Sequence, residues 1–115
     1  MKAIVLVAAV LLNIGIFAQD TEPIFEGKGR YIKGTYFHDN GLVSHTGHFL
    51  DGKLHGEWVM YNKEGKKIAL GEYEEGRRTG KWFFWQEEGR ALREVTYIQG
   101  RPVQVITWNN SESML

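Results

Sequence analysis

No cysteine occurs in the 115 residues, and that absence excludes several chemistries at once. No disulfide can form, so an oxidising compartment is tolerated but not exploited. A lipoprotein anchor needs a cysteine behind an apolar leader, and cysteine–histidine catalysis needs a thiol. Charge of one sign is also missing, because 14 Lys and Arg meet 14 Asp and Glu. The basic footprint that nucleic acid requires is therefore lacking, and so is a polybasic patch for an anionic membrane. Beyond the first eighteen residues, no stretch combines the length and the 3.6-residue apolar period of a good helix.

What is present begins with a leader. Lys2 precedes an apolar run, Ala3 to Phe17, broken only by Asn13 and Gly15, and Ala18 offers a small residue before Gln19. That layout predicts a helical secretory signal peptide, cleaved after Ala18, and a secreted or periplasmic chain. The rival reading is a retained anchor, but a membrane span needs about 20 apolar residues. No basic stop-transfer cluster follows either. Taking 18 residues from 115 leaves 97, and loss of Lys2 leaves 13 basic against 14 acidic side chains. No integral span remains in such a chain. Its core is modest for its size, and aromatics burying on the order of 150–250 Å² each must carry much of it.

The rest is organised by a 24-residue unit written twice, Gly47 to Leu70 and Gly71 to Glu94. Gly47/Gly71, Gly52/Gly76, Gly56/Gly80, Trp58/Trp82, Glu64/Glu88 and Gly65/Gly89 are identical between the copies. Phe49/Tyr73, Lys53/Arg77, Tyr61/Trp85 and Ile68/Leu92 exchange like for like. A fixed period outranks local propensity as a fold signal. It divides the chain into a signal peptide (1–18), a lead-in with a degraded first repeat (19–46), and a repeat region ending in a frayed tail (47–115). The expected strands are Tyr31–Phe37, Val43–Leu50, Glu57–Asn62, Ile68–Glu74, Lys81–Gln86, Ala91–Gln99 and Val103–Trp108. Between them, Gly52, Gly56, Gly65, Gly76, Gly80 and Gly89 read as the repeat-turn glycines. The fold class is all-β: a single-layer, twisted antiparallel meander of hairpins.

Period 2 along a strand assigns faces. Trp58 shares a face with Met60, Trp82 with Phe84, and Ile106 with Trp108. Val59 and Tyr61, like Phe83 and Trp85, point the other way. Both faces are thus apolar, whereas a one-sided antiparallel sheet alternates apolar with polar. Trp58, Tyr61, Trp82 and Trp85 are the expected partner-binding residues, since exposed apolar patches mark interaction surfaces.

Gly56-Glu-Trp-Val-Met-Tyr-Asn-Lys-Glu-Gly65, Tyr73-Glu-Glu-Gly76 and Gly80-Lys-Trp-Phe-Phe-Trp-Gln-Glu-Glu-Gly89 together resemble the bacterial variant of the MORN repeat. The match covers Gly47 to Gly89 well and Tyr97-Ile-Gln-Gly100 in part. The resemblance implies an elongated antiparallel sheet, no catalytic residues and no cofactor. It also implies a role as a protein-binding module, an antitoxin-like protein, a scaffold or an envelope-associated spacer. The leader and the Phe17-Ala18-Gln19 junction resemble those of secreted Bacteroidetes proteins, which sits badly with a cytoplasmic antitoxin. The expected partner is a protein or envelope component.

One motif points elsewhere. His45-Thr46-Gly47-His48 spells H-x-G-H and resembles the phosphate-binding motif of nucleotidylyltransferases such as nicotinate mononucleotide adenylyltransferase. In that family the two histidines, His45 and His48 here, stabilise the transferring phosphate at a helix N-terminus. Here a strand end and a turn follow, and Gly47 is already explained by repeat phase with Gly71. The four histidines (38, 45, 48 and 55) suggest surface positions rather than a metal site, since no Cys joins them and their repeat counterparts are not His.

Overall fold

The computed structural model describes residues 21–109. The expected signal peptide and cleavage point, and residues 110–115, lie outside them. Eight strands follow one another: β1 (Ile24–Lys28), β2 (Tyr31–Phe37), β3 (Val43–Leu50), β4 (Lys53–Tyr61), β5 (Lys67–Glu74), β6 (Arg77–Gln86), β7 (Ala91–Ile98) and β8 (Arg101–Asn109). They form one open antiparallel sheet in the order β1 to β8, each strand paired with its chain neighbours. The described residues contain no α-helix and no second layer, only a 3₁₀ turn at Glu87–Gly89. β3 runs across position 46/47, so the lead-in and the repeats share one sheet.

Turn chemistry explains the meander. At one rim the hairpins close through two residues, Asp51-Gly52, Glu75-Gly76 and Gln99-Gly100, all with positive φ. Two successive left-handed residues match the twist of the flanking strands, and a glycine in the second place lowers the strain. These turns are stitched together. The Gly76 N–H donates to Leu54 O at 3.0 Å and the Gly100 N–H to Arg78 O at 2.9 Å. Earlier in the chain the Asp51 N–H reaches Arg30 O at 2.8 Å, beside a two-pronged Arg30–Asp51 ion pair of 2.8 and 2.9 Å. The opposite rim carries the longer turns at 38–42, 62–66 and 87–90.

Three expectations need correction. The turn read as Asp51–Gly56 is only two residues long, and β4 already starts at Lys53. Gly56 and Gly80 (φ 73° and 69°) are therefore not turn residues. They sit inside β4 and β6 where the pairing register slips, from His48↔His55 to Thr46↔Val59 and from Glu72↔Thr79 to Leu70↔Phe83. Such bulges re-aim the side chains that follow.

The lead-in also contains a strand, β1, whose Phe25 stands 24 residues before Phe49. Phe25, Phe49, Tyr73 and Tyr97 thus form one column of the repeat.

The third correction concerns β8. Repeat phase would place Ile106 on the face of Trp58 and Trp82. Instead Val105 lies opposite Val95, and Ile106 lies opposite Glu94. Gln104 stands where the earlier copies have Gly56 and Gly80, so the bulge is one residue smaller. A one-residue slip turns every following side chain to the other face.

Candidate functional site

Residues directly opposite in an antiparallel ladder share a face, so the register sorts the aromatics. One face holds Trp58, opposite Gly71, and Trp82, opposite Val95. A Cβ on Gly47 would come within 2.1 Å of the Trp58 ring, and one on Gly71 within 1.9 Å of the Trp82 ring. Each indole therefore lies against bare backbone of the preceding strand. Each is pinned there by its N–H, Trp58 Nε1 to His48 O and Trp82 Nε1 to Glu72 O, both at 3.0 Å.

The column of ring residues completes the enclosure. Phe49 meets Trp58 edge-on at 5.4 Å, Tyr73 meets Trp82 at 5.1 Å, and Tyr97 meets Trp82 at 6.2 Å. The Arg78 guanidinium lies 4.7 Å from the Trp82 ring and donates to the Tyr97 hydroxyl at 2.8 Å. Burial works to lower the Arg78 pKa, but the hydroxyls of Tyr73 and Tyr97 outweigh it and raise it. Trp58 is 3 % exposed and Trp82 0 %. A single-layer sheet has thereby built a core on its own surface.

That result narrows the expected partner surface. Trp58 and Trp82 have no surface to offer, whereas Tyr61 and Trp85 are half-buried on the other face. The four side chains do not form one patch.

The other face carries two apolar rows. One runs Thr46, Val59, Leu70, Phe83, Glu94, Ile106 across β3 to β8. The next contains Trp85, Leu92 and Trp108 across β6 to β8. Glu94 interrupts the first row, but Lys81 neutralises it at 3.2 Å. Trp108, brought to this face by the slip in β8, is 50 % exposed. Sequence reasoning missed Leu70, Leu92 and Trp108 as members of one surface. The signal was Gln104, four residues before Trp108, where the earlier copies have Gly56 and Gly80.

The two histidines of the H-x-G-H motif occupy opposite faces of β3. His45 stacks on Tyr36 at 4.4 Å on the tryptophan face, and its Nδ1 shares a 3.0 Å hydrogen bond with Ser44 Oγ. His48 stacks on Tyr31 at 4.7 Å on the other face, opposite His55. The following residues are a hairpin, not a helix start. Two imidazoles so placed do not converge on one phosphate. Among the described residues no three His, Asp or Glu side chains group as a metal set.

Burial, helped by the nearby charge of His38, pushes the His45 pKa below the ordinary imidazole value. A depressed His pKa means that the unfolded chain binds the proton more readily. The contribution to stability is present above about pH 6.5 and is lost as pH falls through the lowered folded value. Thermal midpoints at about pH 7.5 and 5.5 should therefore drop more in the native sequence than in His45→Phe, which keeps a ring over Tyr36. Equal drops would remove His45 from the acid response.

In sequence comparisons the chain matches no family model and no curated protein.

Proposed function

We propose that this chain is a MORN-like repeat protein of the secreted or periplasmic compartment. It performs no chemistry of its own and works as a binding or scaffold module for a protein or envelope partner. One observation carries the reading: the sheet makes its core on the face of Trp58 and Trp82, while the rows through Phe83, Trp85, Leu92, Ile106 and Trp108 stand opposite it without a covering layer among the described residues. A contiguous apolar surface of that kind marks an interaction site, and rigid aromatics are the residues most often dominant at interfaces. The 24-residue spacing of Gly and Trp supports the repeat assignment, and the pattern of residues 1–18 supports export.

Adjacent residues of β8 test the reading. Thr107 and Trp108 are both exposed but belong to opposite faces. A photoreactive side chain at 108, in cells that export the chain, should give one discrete adduct, and the same group at 107 should give none. Adducts of equal yield from both positions, or none from 108, would contradict the assignment.

A further inference from the structure

The longer turns along one rim face each other in succession, and comparison of two such neighbours exposes a site. Between the turns at 38–42 and 62–66 the groove is shut by three contacts. His38 Nε2 bonds to Tyr61 O at 2.9 Å, Asn40 Nδ2 donates to Lys63 O at 2.8 Å, and Lys63 Nζ pairs with Asp39 at 3.4 Å. One repeat later none of the three contacts recurs. His38 becomes Asn62, whose Oδ1 accepts from the N–H groups of Glu64 and Lys66 within its own turn. Asn40 becomes Glu64, which as a carboxylate has no N–H to give. Lys63 becomes Glu87, while Lys63 itself is engaged backwards with Asp39. The second groove therefore stays open as a cleft of about 340 Å³, a size that suits a small molecule.

The lining has a definite character. Trp85 and Ile68 supply an apolar floor, and Glu64, Glu88, Lys66 and Lys67 stand around it. Lys67 Nζ is 6.0 Å from the Trp85 ring centre, the outer limit of a cation–π contact, so it does not seal the indole. Two carboxylates and two ammoniums leave no net charge. A cation or an anion would meet attraction and repulsion together. A polyhydroxyl ligand meets neither, because each hydroxyl both donates and accepts. It can donate to Glu64 and Glu88, accept from Lys66 and Lys67, and lay its C–H face on the Trp85 indole.

We propose that the cleft between the turns at 62–66 and 87–90 binds a neutral saccharide of two or three units, with Trp85 as the platform. The site lies at the rim of the apolar rows and shares Trp85 with them. It would hold the chain to a glycan while Leu92, Ile106 and Trp108 on β7 and β8 engage protein.

The test uses the exported chain, residues 19–115, titrated separately with maltotriose, cellotriose and triacetylchitotriose. The Trp85 indole N–H signal in a ¹H–¹⁵N spectrum reports binding. At least one sugar should shift it with a dissociation constant of about 1 mM or tighter. Trp85→Ala should abolish the response of the remaining signals, and Trp108→Ala should leave binding unchanged. Glu64→Gln with Glu88→Gln, both at turn positions, should weaken it about tenfold without altering the fold, and without affecting adduct formation from residue 108. That pair keeps the proposal open to refutation should Trp85→Ala fail to fold. Absence of a shift with all three sugars, or unchanged affinity in the Glu64/Glu88 variant, overturns it.

Discussion

Replacing Gly71 by Ala is expected to unfold the protein or bring it to the edge of unfolding. The added methyl would sit 1.9 Å from the Trp82 ring, far inside any contact distance, and its neighbour is a fully buried indole rather than a flexible tip. Overpacking alone typically costs about 1–3 kcal/mol. Here relief requires expelling Trp82 from its hydrogen bond and ring contacts, which approaches the ~3–5 kcal/mol cost of deleting a buried aromatic. Against a total stability of roughly 5–15 kcal/mol, that is decisive. Gly47→Ala should act through Trp58 in the same way. Gly65→Ala is the control: its φ of 88° strains an alanine, but the site is otherwise open. It should cost only about 1–2 kcal/mol. Urea midpoints of the three variants check the ranking.

Trp82→Ala should be the most damaging aromatic deletion, at about 3–5 kcal/mol. The indole loses its hydrogen bond to Glu72 O, and Tyr73, Tyr97 and Arg78 lose the ring they enclose. Trp108→Ala removes a ring of equal size that is half exposed, and should cost under about 1 kcal/mol. The two large effects are also coupled. In the Trp82→Ala background the methyl of Gly71→Ala no longer meets an indole, so its additional cost should fall below about 1 kcal/mol, a strongly non-additive cycle. Additive losses would mean that Gly71 matters for backbone conformation alone.

Much of this arrangement was legible beforehand. The 24-residue identity of Gly and Trp positions announced stacked hairpins, and β3 was placed to the residue. What stayed hidden had physical causes. Gly52 and Gly56 look alike on paper, yet one closes a two-residue turn and the other makes a bulge within a strand. β1 is hidden in the sequence because Pro23 and charged neighbours mask a five-residue strand, although Phe25 keeps phase with Phe49. Ile106 and Trp108 lie on the face opposite to the one repeat phase predicts, because the loss of Gly at position 104 changes the register by one residue. Above all, alternation shows which aromatics share a face but not which face is the core. That depends on Gly47 and Gly71 meeting Trp58 and Trp82 across the ladder, a long-range pairing that local pattern does not contain.

The cleft is a further case. His38 and Asn40 differ from Asn62 and Glu64 on paper, but that difference alone does not say which groove is open. Only the pairwise contacts between turns show that one groove is closed and the next is not.

The most direct test of the two-faced sheet is solvent exchange of the four indole N–H groups. Trp58 and Trp82 donate to backbone carbonyls and are buried, whereas Trp85 and Trp108 lie on the opposite face and have no such acceptor among the described residues. Two indole signals should therefore exchange orders of magnitude more slowly than the other two, and assignment should give the slow pair to Trp58 and Trp82. Four similar rates, or a slow Trp85 beside a fast Trp82, would contradict the account.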